Sequence, residues 1–214
     1  MGTAAEMLNH CSSSSIFDAL DELGLGGGVL EGFHFFGSRK RAVGPVETLV
    51  GEVRLERTFP VEDFSIGKHI RLSMPGSILL IDLRGESVST WGALATHAAM
   101  LRGLAACVIR GGARDVEEID AMDFILAVEH VTPRTGKGRI RFVQRDAPLQ
   151  WGSVRIDPRA WIAMDRTGAV LIPAHKIDDV ARRALEIEAA DSDFTRMLEQ
   201  GVDFDTASRQ LGHF

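Results

Sequence analysis

Tyrosine is missing from this chain of 214 residues, cysteine occurs only twice, and no apolar run approaches the about 20 residues a membrane-crossing helix needs. The lack of tyrosine carries no functional message, but the other absences each remove a class of protein. Two cysteines cannot build a disulfide framework, and Cys107 lies in an apolar run where a thiol behaves as a small hydrophobe, so a reducing cytoplasmic setting is expected. The amino-terminal stretch lacks the basic start and apolar centre of a signal peptide, and no membrane association is expected. Clustered positive charge is scarce as well. With a net charge of −6, and with Arg39-Lys40-Arg41 as the one short basic run, read as a solvated turn, the sequence argues against a nucleic-acid surface.

What the chain does have is core-forming material. Hydrophobic residues make up 45% of it, and its length is at the upper end of the usual range for one domain, so a single domain over 1–214 is expected. Ser12 to Ser15 precede Ile16-Phe17-Asp18-Ala19-Leu20, and Ser15 with Asp18 resembles a capping box that opens a short helix stopping at Gly24. Gly26-Gly27-Gly28 follows that helix rather than a strand and reads as a loop, not a dinucleotide fingerprint. Alternation from Ala42 to Leu55 predicts β structure, and Pro75-Gly76 introduces a buried strand from Ser77 to Asp82. A strand from Phe124 to Val128 leads to the loop Thr132 to Gly138, where Thr-Gly-Lys-Gly lacks the rest of a phosphate loop and reads as a turn with a solvated Lys137. Short strands are predicted at Gly152–Ile156, Trp161–Met164 and Ala169–Ile172, and a long amphipathic helix at Ile177–Leu198.

The most informative stretch runs from Trp91 to Glu118. Trp91, Leu94, Ala98, Leu101 and Ala105 recur at helical spacing and predict a helix from near Gly92 to Gly103. Small residues at Gly92, Ala93 and Ala95 leave its first turn open, so that free N–H groups and the positive dipole end favour a carboxylate or phosphate. A strand from Ala105 to Arg110 follows, completing a parallel βαβ unit, and ends in Gly111-Gly112-Ala113-Arg114-Asp115. Strand ends are where α/β folds place their chemistry. A guanidinium forks onto two oxygens and an adjacent carboxylate holds a divalent cation, so Arg114 and Asp115 suit a small acid substrate.

Asp18-Ala19-Leu20, Gly44-Pro45-Val46-Glu47-Thr48, Pro75-Gly76, Trp91-Gly92-Ala93-Leu94, Gly111 to Asp115 with Glu118, and Asp165 to Pro173 together make the chain resemble the RraA-like family. That family contains 4-hydroxy-4-methyl-2-oxoglutarate aldolases, related oxaloacetate decarboxylases and regulators of ribonuclease E activity. The resemblance covers nearly the whole chain and implies an α/β fold of the three-layer β/β/α swivelling type, assembled as a homotrimer or a dimer of trimers with active sites between subunits. It also implies that Asp115 binds Mg²⁺ or Mn²⁺ with waters completing the coordination, that Arg114 holds the pyruvoyl part of a 2-oxo acid, and that the N–H groups of Leu94 and Ala95 bind its carboxylate. Glu118 would stand behind these residues. Asp191 takes the place of a glutamate that in many relatives approaches the neighbouring subunit's site.

One departure bears on mechanism. Where the aldolases of this family carry an aspartate that orients water, this chain has Ala93. If the site is catalytic, the resemblance implies a lyase that passes through the enolate of pyruvate, and Ala93 harms aldol cleavage more than decarboxylation, which needs no base for a hydroxyl proton. The alternatives are a non-catalytic regulator of ribonuclease E activity and an enzyme of a different reaction on the same metal site. His97 is a further candidate near the substrate, whereas His130 and His175 have no metal-spaced partner.

Overall fold

The strand β3 (Ala42–Val53) organises the sheet, because its two halves pair with different parts of the chain. In the computed structural model, which describes residues 2–211, it is preceded by helices α1 (Ala4–Leu8) and α2 (Ser13–Glu22) and strands β1 (Gly28–Leu30) and β2 (His34–Phe36). It is followed by α3 (Ile66–Leu72), β4 (Ile78–Asp82), β5 (Ser89–Trp91), α4 (Ala93–Arg102), β6 (Ala106–Ala113), α5 (Val116–Asp120) and β7 (Leu126–Val131). Then come β8 (Ile140–Arg145), β9 (Leu149–Trp151), β10 (Val154–Ile156), β11 (Trp161–Met164), β12 (Ala169–Ile172), α6 (Ile177–Glu199) and α7 (Phe204–Leu211). The span 1–214 expected for the domain includes residues 1 and 212–214, which lie outside the described residues.

The first half of β3 runs antiparallel to β11, with Ala42 opposite Met164, and the second half runs parallel to β4, with Val46 opposite Ile78 and Val50 opposite Asp82. The strand order is β1-β12-β11-β3-β4-β6-β7-β2, with β5 beside β6 and β8 beside β3. Strands β3, β4, β6 and β7 are mutually parallel, as the βαβ unit required, whereas the flanking strands are antiparallel.

Residues alternate along these strands between two apolar layers. Leu79, Ile81, Cys107 and Ile109 face α3 and α4 in one cluster. Ile78, Leu80, Ala106 and Val108 face the other way, against Trp151, Ile162, Met164 and Ala169. The opposite side of β11 and β12, through Ala163, Val170 and Ile172, packs on α2 and α6 in a third cluster. The result is an α/β domain with a mixed sheet core flanked by helices, consistent with the three-layer swivelling arrangement.

Some local details differ from the sequence reading. Ser12, not Ser15, caps α2: its side chain accepts from the N–H of Ser15, and the later serines form the helix's first turn. The apolar stripe assigned to α4 does not form its buried face. Leu94 and Leu101 are 86% and 79% exposed, while Ala93, Thr96 and Ala99 face the core, because the small residues let the helix lie close to the sheet. Trp91 belongs to β5, from which its ring stacks on Phe124. Among the described residues no helix is long and apolar enough to cross a membrane.

Candidate functional site

The chain turns from β5 into α4 at Gly92, whose backbone is extended and available to any residue; the need for glycine here is steric. A Cβ at this position would lie 2.6 Å from Asp115 Oδ2 and 3.2 Å from Arg114 Cγ. Gly92 therefore lets the end of β6 come against the start of α4. The N–H of Arg114 donates to the Trp91 carbonyl at 3.0 Å, which ties the two segments together. Below them, Trp91 Nε1 donates to Thr96 Oγ1 at 2.8 Å and fixes the first turn of the helix from inside.

No side chain caps the amino end of α4. The N–H of Ala93 reaches Asp115 Oδ2 at 3.4 Å, a long contact, and the first intrahelical bond is the one from the Thr96 N–H to the Gly92 carbonyl, so the N–H groups of Leu94 and Ala95 have no acceptor within the helix. The other end is closed conventionally by Gly103, at φ 82°, in the left-handed conformation that glycine adopts without strain.

Asp115 itself has φ 58° and ψ 35°, a left-handed conformation that costs a non-glycine residue on the order of 1 kcal/mol. This conformation breaks the direction of β6 and starts α5, whose Ile119 N–H donates to the Asp115 carbonyl at 3.1 Å. The carboxylate is aimed back at the mouth of α4. Arg114 Nε stands 3.6 Å from Asp115 Oδ2, beyond a good hydrogen bond, and the two side chains are 44% and 38% exposed. Both groups keep most of their hydrogen-bonding capacity for something else.

These residues border a cavity of about 180 Å³ at the carboxyl ends of the parallel strands. Gly92, Leu94, Ala95, Arg114 and Asp115 line it. Ala93, also expected at the substrate, is not in the lining: its side chain is buried and its N–H is directed at Asp115. Glu118 is exposed on α5 away from this lining, and His97 is exposed on the outer face of α4. Asp191 lies on α6, which packs with α1 and α2 rather than with α4. His130 Nε2 contacts the Gly85 carbonyl at 2.9 Å, outside the cavity.

The structure adds residues to this lining. Phe64 and Ile66, at the start of α3, form an apolar wall, and Thr135 and Lys137 approach from the loop after β7. That loop is held against β5 by the N–H of Ser89 donating to the Arg134 carbonyl at 2.8 Å. Gly136 makes the close approach possible, since a Cβ there would be 2.6 Å from a Phe64 ring carbon. Lys137, read from the sequence as a solvated turn residue, thus brings a second cation to the rim of the same cavity as Arg114. The Gly-Lys-Gly pattern was a visible signal, but only the long-range pairing gives it a place.

Asp115 is the one carboxylate bordering the cavity among the described residues, and no group of three His, Cys, Asp or Glu side chains capable of enclosing a metal occurs among them. This donor set fits a Mg²⁺ or Mn²⁺ ion held by one carboxylate with solvent and ligand oxygens completing its coordination, as is common for Mg²⁺. It does not fit a closed, all-protein site.

The RraA-like family model, described as Aldolase/RraA, matches residues 13–171. Protein DlpA of Legionella pneumophila is 25% identical over 208 residues, which cover 97% of this chain but only 33% of that protein, so the chain spans about a third of its length. A putative 4-hydroxy-4-methyl-2-oxoglutarate aldolase of Thermus thermophilus is 29% identical over 66% of this chain and 81% of its own length. The solved structure of a Thermus RNA-processing inhibitor, RraA, superposes with a TM-score of 0.61 at 26% identity, covering 73% of this chain and 91% of that one. With the family model matching well over half of its length, this chain belongs to the RraA-like family.

Proposed function

We propose that the cavity at the mouth of α4 binds a small 2-oxo acid and that the chain is a carbon–carbon lyase, acting on an oxaloacetate-like substrate in preference to an aldol. The observation that carries this reading is the convergence of open helix N–H groups, a guanidinium and a loosely paired carboxylate on one small cavity. The substrate carboxylate sits against the N–H groups of Leu94 and Ala95, where the helix dipole favours it. Arg114 faces the keto oxygen and stabilises the negative charge that develops there as the bond β to the keto group breaks. Lys137, at the rim, attracts the carboxylate that leaves as CO₂. Phe64 and Ile66 exclude water from one side and so strengthen these electrostatic contacts. Asp115 would hold Mg²⁺ or Mn²⁺, which when bound supplies a further positive charge for the same developing enolate.

Ala93 gives this site no second carboxylate to take a proton from a substrate hydroxyl. Retro-aldol cleavage needs such a base and decarboxylation does not, which is why the latter stands first. The test is pyruvate release from oxaloacetate and from 4-hydroxy-4-methyl-2-oxoglutarate, with Mg²⁺, Mn²⁺ or chelator. Faster metal-dependent release from oxaloacetate, lost in Asp115→Ala, is the expected outcome, and no release from either substrate would sink the proposal.

A second reading has its own support. A single carboxylate on the cavity, and similarity to a protein described as an RNA-processing inhibitor, favour a non-catalytic regulator of ribonuclease E type or a different reaction at the same site. Inhibition of ribonuclease E that persists in Asp115→Ala, together with an inert lyase assay, would establish the regulator.

A further inference from the structure

A second concavity, of about 860 Å³, opens at the opposite end of the sheet, beside the amino ends of β6 and β7. One side is the segment 37–41, which crosses from β2 to β3. This segment is pinned: a Cβ at Gly37 would lie 2.0 Å from the Phe124 carbonyl oxygen, and both the N–H and Oγ of Ser38 donate to the Met122 carbonyl, at 2.8 and 2.9 Å. The other sides are the β11–β12 turn and Asn9, the residue that ends α1. Every lining side chain is polar or charged, and four of them, Arg39, Lys40, Arg41 and Arg166, are cations.

The one carboxylate in the lining offsets one of these four charges but forms no ion pair with any of them. Asp165 Oδ2 accepts the Ser13 N–H at 2.9 Å, and Oδ1 accepts Ser13 Oγ and the Thr167 N–H, each at 2.8 Å, so its lone pairs are committed to the start of α2 and to its own turn. Arg39 is neutralised by a forked contact with Asp123. Arg41 donates to the His10 carbonyl at 2.9 Å and Arg166 reaches the Gly37 carbonyl at 3.5 Å; both acceptors are uncharged. Among the described residues Lys40 and Arg166 form no ion pair, and Arg41 makes none within 4 Å although its charge is felt by Glu188, which leaves two uncompensated cations from two separate segments, and a partly compensated third, facing one basin.

A chain of net charge −6 repels anions over most of its surface, so a local field of opposite sign must come from placement rather than composition. We propose that this basin binds a small ligand through a phosphate or pyrophosphate group. Guanidinium forks match phosphoryl oxygens, an ammonium adds a mobile point charge, and Asn9 and Thr167 supply neutral donors. A wide basin lined by polar and charged residue types alone suits a multiply charged, hydrophilic group rather than a hydrophobic one. The site is independent of the lyase reading, since it lies at the other end of the strands and shares no residue with the first cavity.

The test is calorimetric titration of the whole chain, without divalent cations, with inorganic pyrophosphate and with orthophosphate at low and near-physiological salt. Pyrophosphate is expected to bind saturably and more tightly than orthophosphate, to weaken with salt, and to lose roughly tenfold or more in affinity in the double variant Lys40→Gln/Arg166→Gln. Both side chains are exposed, and an unchanged melting temperature verifies that the variant is folded. Absence of saturable binding, equal binding by the variant, or binding abolished by Arg114→Ala, which would put the anion in the other cavity, each overturns the proposal.

Discussion

Arg145 with Glu47 and Arg114 with Asp115 are chemically the same pair, yet the fold treats them in opposite ways. The first pair is 16% and 8% exposed and saturated: Arg145 also donates to the His69 carbonyl at 3.2 Å and to Ser73 Oγ at 3.1 Å, and Glu47 accepts the Met74 N–H at 2.6 Å. The second pair is about two-fifths exposed, separated by 3.6 Å, and opens onto a cavity. An ion pair whose lone pairs and protons are all taken is part of the scaffold, and one held slightly apart is available to a ligand. Asp115 and Arg114 lie just past the end of β6 with Asp115 left-handed, and Arg145 also ends a strand before a left-handed Asp146; the difference is that Glu47 lies inside β3 and that His69 and Ser73, at the end of α3, hold the Arg145 guanidinium.

If this contrast is right, the largest effect on stability belongs to the saturated pair. Glu47→Ala strips Arg145 of its buried counter-charge, leaving the more exposed Asp146 carboxylate at 3.4 Å, and should lower stability by about 1.5–3 kcal/mol, read by denaturant unfolding. Asp115→Ala, on an exposed pair, should leave the melting temperature nearly unchanged. Its effect should appear in metal-dependent pyruvate release, which is expected to fall by about 10²–10³, with Arg114→Ala similar in size. A strongly destabilised Asp115→Ala, or a Glu47→Ala chain as stable as wild type, would erase the distinction.

A smaller effect sharpens it. In Gly92→Ala the new Cβ meets Asp115 Oδ2 at 2.6 Å, and the carboxylate can swing aside at little cost to the fold. The expected result is weaker ligand binding or turnover by about tenfold with a small change in melting temperature, since Ala restricts an extended backbone little.

The smallest expected effects lie in acid. Burial, and then the charges of Arg145 and Lys68, push the His69 imidazole down to about 4, so His69 is neutral in the folded protein. Burial pushes the Asp165 carboxyl up, but hydrogen bonds from the backbone and side chain of Ser13 and from Thr167 outweigh it and hold the group below its usual range. Glu188 is likewise lowered: burial raises it, and hydrogen bonds from Ser12 and Ser15 prevail. All three folded-state values are depressed, so their contributions are complete above the unfolded values and are lost as pH falls through the folded ones. Stability should therefore decline first as His69 is forced to protonate below neutral pH, and then in the carboxylate range. Asp165→Asn should flatten the lower part of that decline while leaving the lyase assay unaffected near neutral pH; an unchanged acid profile would remove Asp165 from the account.

Much of the half that carries the candidate site was legible locally. The bounds of α4 followed from Gly92, Gly103 and the periodic apolar residues between them, and the parallel β4-α4-β6 unit followed from two apolar runs on either side of that helix. Which face of α4 is buried did not follow from that spacing, because Leu94 and Leu101 carry the stronger hydrophobic signal and are exposed, whereas Ala93, Thr96 and Ala99 are small enough to approach the sheet. The helix α3 escaped notice because its seven residues offer a single fully buried position, Ile70.

The sequence by itself determined the helices α2, α4 and α6, the strands β3, β4, β6, β11 and β12, the open helix start, the Arg114-Asp115 pair at a strand end and the resemblance to the RraA-like family. Such features rest on interactions between residues a few positions apart, or on strict alternation, and these leave a visible period. Only the tertiary structure decided that Phe64, Thr135 and Lys137 share a cavity with Arg114, and that Lys40 and Arg166 face one basin. Those meetings depend on parallel pairing and on loops pinned by backbone hydrogen bonds between distant segments, such as Ser89 to Arg134 and Ser38 to Met122. A backbone hydrogen bond carries no side-chain signature, so the sequence does not record its partner.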